Sequence, residues 1–320
     1  MIFRAKNMYP LMVLALLLLL PLGSPVLYSD YYLDLFTKVL IFGIMLLGYD
    51  ILAGYTGLVS LGHALFFGLG GYTAAYTINH LTSNLFPVLV IALLATVVVG
   101  LFVGFFSTQT KDIFFVFLTL AFAQLFYLVA FNLTTVTGGD NGISIAKATI
   151  GIPGVWEAEI ARPFGFYYLV LFFFVLVYLI CRRVINSPFG KVLVAIRENE
   201  ERVSYLGYNI RKLKIKSYMI SACMATVAGV LFGTYQDFVS PGMLSWTLSG
   251  DLILMSVLGG IGTLVGPVLG GAIIILLGDE LSSITENWMI FIGGFFVLTI
   301  IFAPGGVMGL LSKIRWRNKQ

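Results

Sequence analysis

Long apolar stretches follow one another along almost the whole chain, separated by short polar connections. A helix needs about 20 apolar residues to cross the roughly 30 Å hydrocarbon core of a bilayer, and these stretches approach that length. Of the 320 residues, 59% are apolar and only 11% are charged. A soluble core of this size cannot enclose so much apolar surface. The sequence therefore predicts an all-α polytopic membrane protein, with a single transmembrane domain over residues 1–320.

About ten transmembrane helices are predicted. The eighth and ninth lie in one apolar run, Leu252 to Leu277, so a single long tilted helix is the alternative there. The first could be a signal peptide, because Arg4 and Lys6 precede its apolar core, but no A-x-A-like cleavage site follows and an uncleaved span is favoured. The spans fall near 9–28, 34–53, 64–80, 86–106, 113–131, 164–181, 217–236, 249–261, 264–278 and 288–303.

Basic residues cluster at the ends of these spans, so the net charge of +4 does not indicate nucleic-acid binding. Nine of the nineteen fall between Arg182 and Lys216. Ten spans with a cytoplasmic N-terminus put every cluster in the cytoplasm, as the positive-inside rule requires. We therefore predict that both termini are cytoplasmic. The other clusters are Arg4 with Lys6, Lys111, and Lys313 to Lys319, and the basic residues left elsewhere are Lys38, Lys147 and Arg162.

A glycine-rich block from Gly54 to Tyr72 interrupts the apolar pattern. Glycine at this density predicts broken or closely packed helices deep in the membrane, where a pathway would be built. G-L-V-S at Gly57 to Ser60 resembles G-M-L-S at Gly242 to Ser245, on the opposite side of the membrane, which predicts an inverted repeat. A chance match of short features is the alternative.

Glycines also recur at every fourth residue, which places them on one helix face where a neighbouring helix can approach closely. The spacing predicts three such faces, and ordinary packing without function is the alternative for the pairs. They are Gly100 with Gly104, Gly229 with Gly233, and Gly262 with Gly266 and Gly270.

Few polar residues fall inside the predicted spans. Asp50, His63, Gln124 and Asp251 are expected near a pathway or in a buried hydrogen-bonded pair, because an ionisable group in hydrocarbon costs on the order of 3 kcal/mol. His63 could instead cap a helix start. His63 and His80 lack carboxylates at ligand spacing, so no metal site is predicted.

Two loops stand out. The segment 182–216 is predicted to be cytoplasmic, and apolar residues at helical spacing between Pro188 and Ile210 predict one or two amphipathic helices that dock a partner. A solvated basic loop near anionic lipid is the alternative. The segment 132–163, rich in Gly, Thr and acidic residues, is predicted to be a turn-rich external loop.

Several motifs along nearly the whole chain resemble those of the permease subunits of branched-chain amino acid ABC importers, of the LivM type. Glu201 and Gly207 have the six-residue separation of the E-A-A-x-x-x-G coupling motif, although Arg202 and Val203 replace the two alanines. The motifs are the glycine block itself, L-T-L-A-F-A-Q at Leu118, T-G-G-D-N-G at Thr137, A-I-R-E-N-E at Ala195, G-G-I-G-T-L-V-G-P at Gly259 and F-A-P-G-G at Phe302.

The resemblance implies a multi-pass subunit of a prokaryotic plasma (inner) membrane that works with a second, related permease subunit, two ATPase subunits and a soluble substrate-binding protein. The chain has no G-x-x-x-x-G-K-[ST] motif, so ATP would be used by the partner subunits, and no cofactor or catalytic residue is expected on this chain. The expected coupling residues are Arg197, Glu198, Glu201 and Gly207. The expected pathway residues are Gly57, Ser60, His63, Gln124, Asp251 and Gly260.

Three other functions fit parts of the sequence. A urea or short-amide ABC permease would share the glycine blocks. A passive channel for a small neutral solute would share them too, but would not need the docking loop. An intramembrane serine hydrolase could use Ser60 and His63, but no carboxylate is placed to orient the histidine.

Overall fold

The structure is a computed structural model that describes residues 30–110, 112–152, 156–303 and 305–309. The first predicted span and the basic clusters at Arg4 and at Lys313 to Lys319 lie outside these residues, as does Lys111. The helices in these ranges are α1 (Asp30–Asp50), α2 (His63–His80), α3 (Leu85–Ser107), α4 (Asp112–Asn132), α5 (Thr134–Thr137), α6 (Phe164–Asn186), α7 (Pro188–Glu198), α8 (Glu200–Tyr205), α9 (Ile210–Gln236), α10 (Trp246–Gly259), α11 (Gly266–Ile284) and α12 (Trp288–Phe302).

Each predicted span within the described ranges coincides with a helix. Seven segments are long and apolar enough to cross a membrane, so the chain has the structure of a multi-pass membrane protein. The eighth and ninth spans are two separate helices, α10 and α11, rather than one tilted helix. A total of ten spans remains a prediction. The seven segments are Tyr31–Tyr55, Leu85–Ser107, Ile113–Asn132, Phe164–Asn186, Ile210–Gln236, Val265–Ile284 and Trp288–Gly309.

One end of the bundle carries four short strands, and we call it the strand end. Antiparallel pairs join β1 (Ile143–Ser144) to β4 (Phe238–Val239) and β2 (Thr149–Ile152) to β3 (Trp156–Glu159). The Asn79 side-chain amide, at the end of α2, donates to the Ser144 carbonyl at 2.8 Å. At the start of α6, Arg162 Nη2 lies 2.6 Å from Asp237 Oδ1, just after α9.

The opposite end carries α7 and α8, and we call it the α7–α8 end. Since α6 leads into α7 and α9 follows α8, both long helices have one terminus here and the other at the strand end. Both helices run into the segment predicted to be a loop, because α6 continues to Asn186 and α9 already begins at Ile210. The segment between the long helices is therefore 187–209 rather than 182–216.

Helix α9 packs against α1, α2 and α3 in the centre of the bundle. Gly229 lies so close to α2 that a Cβ atom there would sit 1.9 Å from the Phe67 carbonyl oxygen. A Cβ on Gly100 would meet Met219 Sδ at 2.9 Å. The predicted packing faces on α3 and α9 are therefore confirmed.

The third predicted glycine face is wrong. Gly262 has a φ of +81° and lies outside any helix. Helix α11 begins only at Gly266, so Gly262 does not share a helix face with Gly266 and Gly270. The spacing alone could not reveal this, because a regular interval of four places residues on one face only if the chain is helical throughout.

Candidate coupling and translocation site

The first break in the helices follows α1. Its last turn widens into a π-helix over Ile51–Tyr55, and residues 56–62 then run without regular helix to the start of α2. Gly57 adopts a φ of +81°, a left-handed conformation that glycine tolerates best. The Thr56 hydroxyl hydrogen-bonds with the Ser217 hydroxyl at 2.6 Å, which fixes the break against α9. The predicted break in the glycine-rich block is therefore present.

A second break separates α10 from α11. Three residues in it have positive φ angles: Gly260 (+112°), Gly262 (+81°) and Leu264 (+63°). The Thr263 hydroxyl donates to the Gly260 carbonyl at 2.7 Å and accepts from the Gly266 amide at 3.0 Å. The side chain of Thr263 thus satisfies backbone groups that a continuous helix would have paired.

Asp50 holds the two breaks together. Its carboxylate accepts from the Gly262 amide at 2.7 Å and from the Leu264 amide at 2.8 Å. The side chain is fully buried. Hydrogen bonds from backbone amides to a buried carboxylate are strong, and leaving either amide unpaired would cost the full desolvation penalty. The expectation that Asp50 takes part in a buried hydrogen-bonded arrangement is confirmed.

Arg197, the penultimate residue of α7, reaches into the same junction. Its guanidinium donates to the Gly54 carbonyl, at the end of the π-helix. A Cβ on Gly57 would sit 2.7 Å from Arg197 Cγ, and a Cβ on Gly262 would sit 3.2 Å from Arg197 Nη1. The side chain of Arg197 therefore contacts both breaks. It occupies space that side chains at positions 57 and 262 would otherwise fill.

Helices α7 and α8 form the predicted amphipathic pair. Leu193, Ile196 and Val203 are buried against the bundle. The side chains of Ser187 and Asn199 cap the starts of α7 and α8 respectively, which explains why two short helices form with a sharp turn between them. Packing of the buried side chains holds the pair against the long helices, and the caps fix where each short helix begins.

The outer side of this pair leaves apolar side chains uncovered. Tyr205 is 86% exposed and Leu206 is 71% exposed. Gly207 follows α8 with a φ of +83°, and nothing in the structure lies within 4 Å of a Cβ placed there. Glu198 and Glu201 are exposed as well. These residues form a free surface at the α7–α8 end, which we call the outer surface of α7–α8.

The starts of α2 and α10 meet in the interior. His63, the first residue of α2, pairs through Nε2 with the Ser221 hydroxyl at 2.7 Å, and Ser221 lies near the middle of α9. The Ala64 amide donates to the Ser249 hydroxyl of α10 at 2.9 Å. Both α2 and α10 therefore begin inside the bundle, each after an irregular segment, and their amino-terminal ends face each other.

Ser60 and His63 do not pair with each other. The Ser60 hydroxyl accepts from the Gly62 amide at 3.1 Å, and both side chains are fully buried. The His63 ring packs edge-on against Tyr49 and Tyr218, with centroids 5.1 and 5.9 Å away. A histidine without a carboxylate partner is not oriented for hydrolysis, so this arrangement supports packing rather than a serine nucleophile.

The predicted site residues thus fall into separate groups. Gly57, Gly260 and Arg197 belong to the junction of the two breaks. Gln124 is half-buried on α4, and Asp251 is exposed on α10. Neither side chain forms a hydrogen bond with another described residue. Sequence reasoning missed Ser221 and Ser249, because a serine within an apolar helix gives no distinct signal.

Comparison with known proteins identifies the family. Residues 31–300 match the family described as "Branched-chain amino acid transport system / permease component". The chain belongs to this permease family. The match includes both breaks, the α7–α8 pair and the long helices up to Ile300 of α12, so the whole site described above lies within the matched residues.

The permease resembles several curated proteins. It is 30% identical to the high-affinity branched-chain amino acid transport system permease protein LivM of Escherichia coli, over 92% of this chain and 74% of that one. It is 28% identical to a probable LivM of Methanocaldococcus jannaschii, over 76% of this chain and 78% of the relative. It is 26% identical to LivH of Escherichia coli over 56% and 59% of the two chains. No solved structure shows significant similarity to the chain.

Proposed function

We propose that this permease is the transmembrane subunit of an ATP-driven importer that moves leucine, isoleucine and valine into the cell by alternating access. The observation that carries the proposal is the position of Arg197, which links α7 to the two breaks at Gly54 and Gly262. A displacement of α7 by a cytoplasmic partner would reach both breaks through this one side chain. Discontinuous helices that surround a central site are typical of transporters.

The coupling role is assigned to Arg197, Glu198, Glu201 and Gly207. The side chain of Arg197 contacts the two breaks, while Glu198, Glu201 and Gly207 lie on the outer surface of α7–α8. Two ATPase subunits would bind that surface, and closure of the ATPase pair on ATP would move it. ATP is used by these partners, and the permease itself requires no cofactor.

The pathway role is assigned to the region where the amino-terminal ends of α2 and α10 meet. Ser60, His63 and the facing ends of α2 and α10 lie in the interior, and Gly57 and Gly260 line the breaks nearer the α7–α8 end. Gln124 and Asp251 complete the proposed set. We expect substrate to pass these groups as α2 and α10 move relative to α9.

The proposal includes an inverted repeat. Helix α1, the break at 56–62 and α2 follow the same order as α9, the irregular segment 237–245 and α10. The break at 56–62 lies beside α7, at the α7–α8 end. The segment 237–245 instead begins at the strand end, with β4. Two similar units with opposite directions are what a pseudo-two-fold axis in the membrane plane would produce.

The proposed orientation puts the strand end outside and the α7–α8 end in the cytoplasm of a prokaryotic cell, with ten spans and both termini inside. The dense basic cluster of Arg182 to Lys216 supports it. The similarity to both LivM and LivH supports a second, related permease subunit as partner. A soluble binding protein would deliver the amino acid at the strand end, and membrane lipid would surround the long helices.

Uptake by the reconstituted complex tests the proposed substrate. The permease, its partner permease, the ATPases and the binding protein are placed in proteoliposomes with ATP inside the lumen and the nucleotide-binding side facing it. We expect ATP-dependent accumulation of labelled leucine, isoleucine or valine, with mutual competition among the three. Accumulation of urea without competition by leucine would contradict the substrate, and downhill flux without ATP would indicate a channel.

A substitution at Gly207 tests the docking surface. Gly207→Leu is expected to leave the permease inserted and folded, because a side chain there meets nothing within the permease. The positive φ adds about 1 kcal/mol of local strain, which a membrane-embedded fold tolerates. We expect loss of ATPase co-purification and of uptake. Gly207→Asn, which accepts the left-handed backbone with a smaller side chain, is the control for strain. Full uptake by Gly207→Leu would refute docking at this surface.

A further inference from the structure

A cavity of about 550 Å³ lies between α1, α10, α11 and α12. This volume is within the roughly 300–1,000 Å³ that is typical of small-molecule pockets. Most of its wall is apolar and branched or aromatic, and three ionisable side chains interrupt it. The apolar wall includes Leu35, Leu254, Met255, Ile274, Ile275 and Phe296, and the ionisable residues are Lys38, Asp251 and Asp279.

The cavity lies toward the strand end. Asp34, one turn before Lys38 on α1, lies beside the Tyr235 hydroxyl near the end of α9. Asp279 accepts a hydrogen bond from the hydroxyl of Tyr31, at the start of α1. From there the cavity extends inward to Met255 of α10. It therefore leads from the proposed external face toward the interior of the bundle.

Two of the three charged side chains in the cavity have no partner among the described residues. Lys38 forms no ion pair or hydrogen bond with any residue in the described ranges, and the same holds for Asp251. Asp279 is already engaged by Tyr31. Lys38 is half-buried and Asp251 is exposed toward the open side of the cavity. Ionisable residues on membrane-spanning helices are rare and are retained where a ligand or a pathway uses them. A zwitterion, which carries one negative and one positive charge, could pair with Lys38 and Asp251 at the same time.

We propose that this cavity binds the zwitterionic amino acid on its way from the external face, an inference that rests on the proposed function. Lys38 would hold the carboxylate, Asp251 would hold the ammonium group, and the branched side chain would contact Leu254 and Ile275. The chemistry selects an α-amino acid with a small aliphatic side chain. A neutral solute such as urea could hydrogen-bond to either group but would supply neither with a counter-charge.

Protection of an engineered cysteine tests the site without relying on transport. Leu254→Cys is introduced after Cys181 and Cys223 are both changed to Ala, and the complete complex in nanodiscs is treated with a small membrane-impermeant methanethiosulfonate. Free leucine is expected to slow the labelling several-fold. Leucinamide, which lacks the carboxylate, and 4-methylpentanoate, which lacks the ammonium group, are expected to have little effect at the same concentration.

Charge variants separate binding from general structure. Lys38→Met is expected to weaken the protection by leucine about tenfold or more, because a charge-assisted hydrogen bond is lost. Lys147→Met is the matched control, since Lys147 is exposed and lies 3.5 Å from Glu159 on the surface of the strand end. The control is expected to behave like the parent.

Four results would overturn the assignment. These are protection by leucine that Lys38→Met leaves unchanged, equal protection by leucinamide, absence of protection, and failure of the cysteine introduced at position 254 to react at all because a partner subunit covers the cavity. If ATP-dependent leucine uptake persists in the parent complex, such a result overturns the cavity alone. A complex that takes up no branched-chain amino acid overturns the proposed function and with it this inference.

Discussion

Replacing Gly229 by alanine is expected to prevent the bundle from assembling. A Cβ at this position would lie 1.9 Å from the carbonyl oxygen of Phe67 and 2.7 Å from its carbonyl carbon, and both atoms belong to the backbone of α2. A backbone segment in the middle of a packed helix cannot move aside as a flexible side chain can. Overpacking of this kind costs about 1–3 kcal/mol, and more where whole helices must separate. The measurement is the yield of folded, monodisperse permease and its midpoint of thermal unfolding.

Gly250→Ala is the matched control for this prediction. Gly250 is also within a helix, α10, and no atom lies within 4 Å of a Cβ placed there. Alanine should be neutral or stabilise the helix by about 1 kcal/mol, since glycine is the poorer helix former. A Gly229→Ala permease that is as stable as the control would show that α2 and α9 are farther apart than the structure has them.

Replacing Asp50 by alanine is expected to abolish transport while the ATPases remain bound. The change leaves the amides of Gly262 and Leu264 buried without an acceptor, at a cost of about 1–3 kcal/mol each. The two breaks would then no longer move together when α7 moves. We expect ATP-driven leucine uptake to fall more than tenfold, while the outer surface of α7–α8 still binds the ATPases. Uptake, ATP hydrolysis and co-purification are measured on the same preparation.

Asp140→Ala controls for the loss of a carboxylate. Asp140 is exposed in the loop at the strand end, so its removal should leave all three measurements unchanged. Uptake by Asp50→Ala within twofold of the parent would show that the junction does not transmit the movement. Loss of the protein from the membrane would instead show that the carboxylate is needed for folding, and Asp50→Asn, which keeps one acceptor oxygen, would then be the informative variant.

Much of the architecture can be predicted from the sequence because membrane insertion is a local property. Each apolar stretch within the described ranges forms a helix close to the predicted limits, and the amphipathic stretch after Pro188 forms α7 and α8. Glycine density correctly locates the break after Gly54. The regular spacing of Gly262, Gly266 and Gly270 is misleading, since a positive φ at Gly262 ends the helical continuity that the pattern assumes.

The contacts that define the site cannot be predicted in the same way. Asp50 and Arg197 both stand out in the sequence, but nothing in the order of residues shows that Asp50 binds amides 212 and 214 positions later. The motif at Arg197 predicts contact with a partner, whereas its guanidinium faces Gly54 within the chain. Likewise, the sequence singles out Asp251 but not Lys38. That both line one cavity follows only from the packing of α1 against α10 and α11.

The residues alone are enough to establish that this chain lies in a membrane, where most of its helices run, which loop is basic and that glycine interrupts the helices after Gly54. These properties depend on the transfer of each segment from water to hydrocarbon, and a segment's own residues set that free energy. Packing of the helices was needed to reveal that the two breaks share one carboxylate and one arginine, and that the amino-terminal ends of α2 and α10 meet. Those contacts form between residues far apart in the chain, because buried amides and charges must find partners wherever packing brings them.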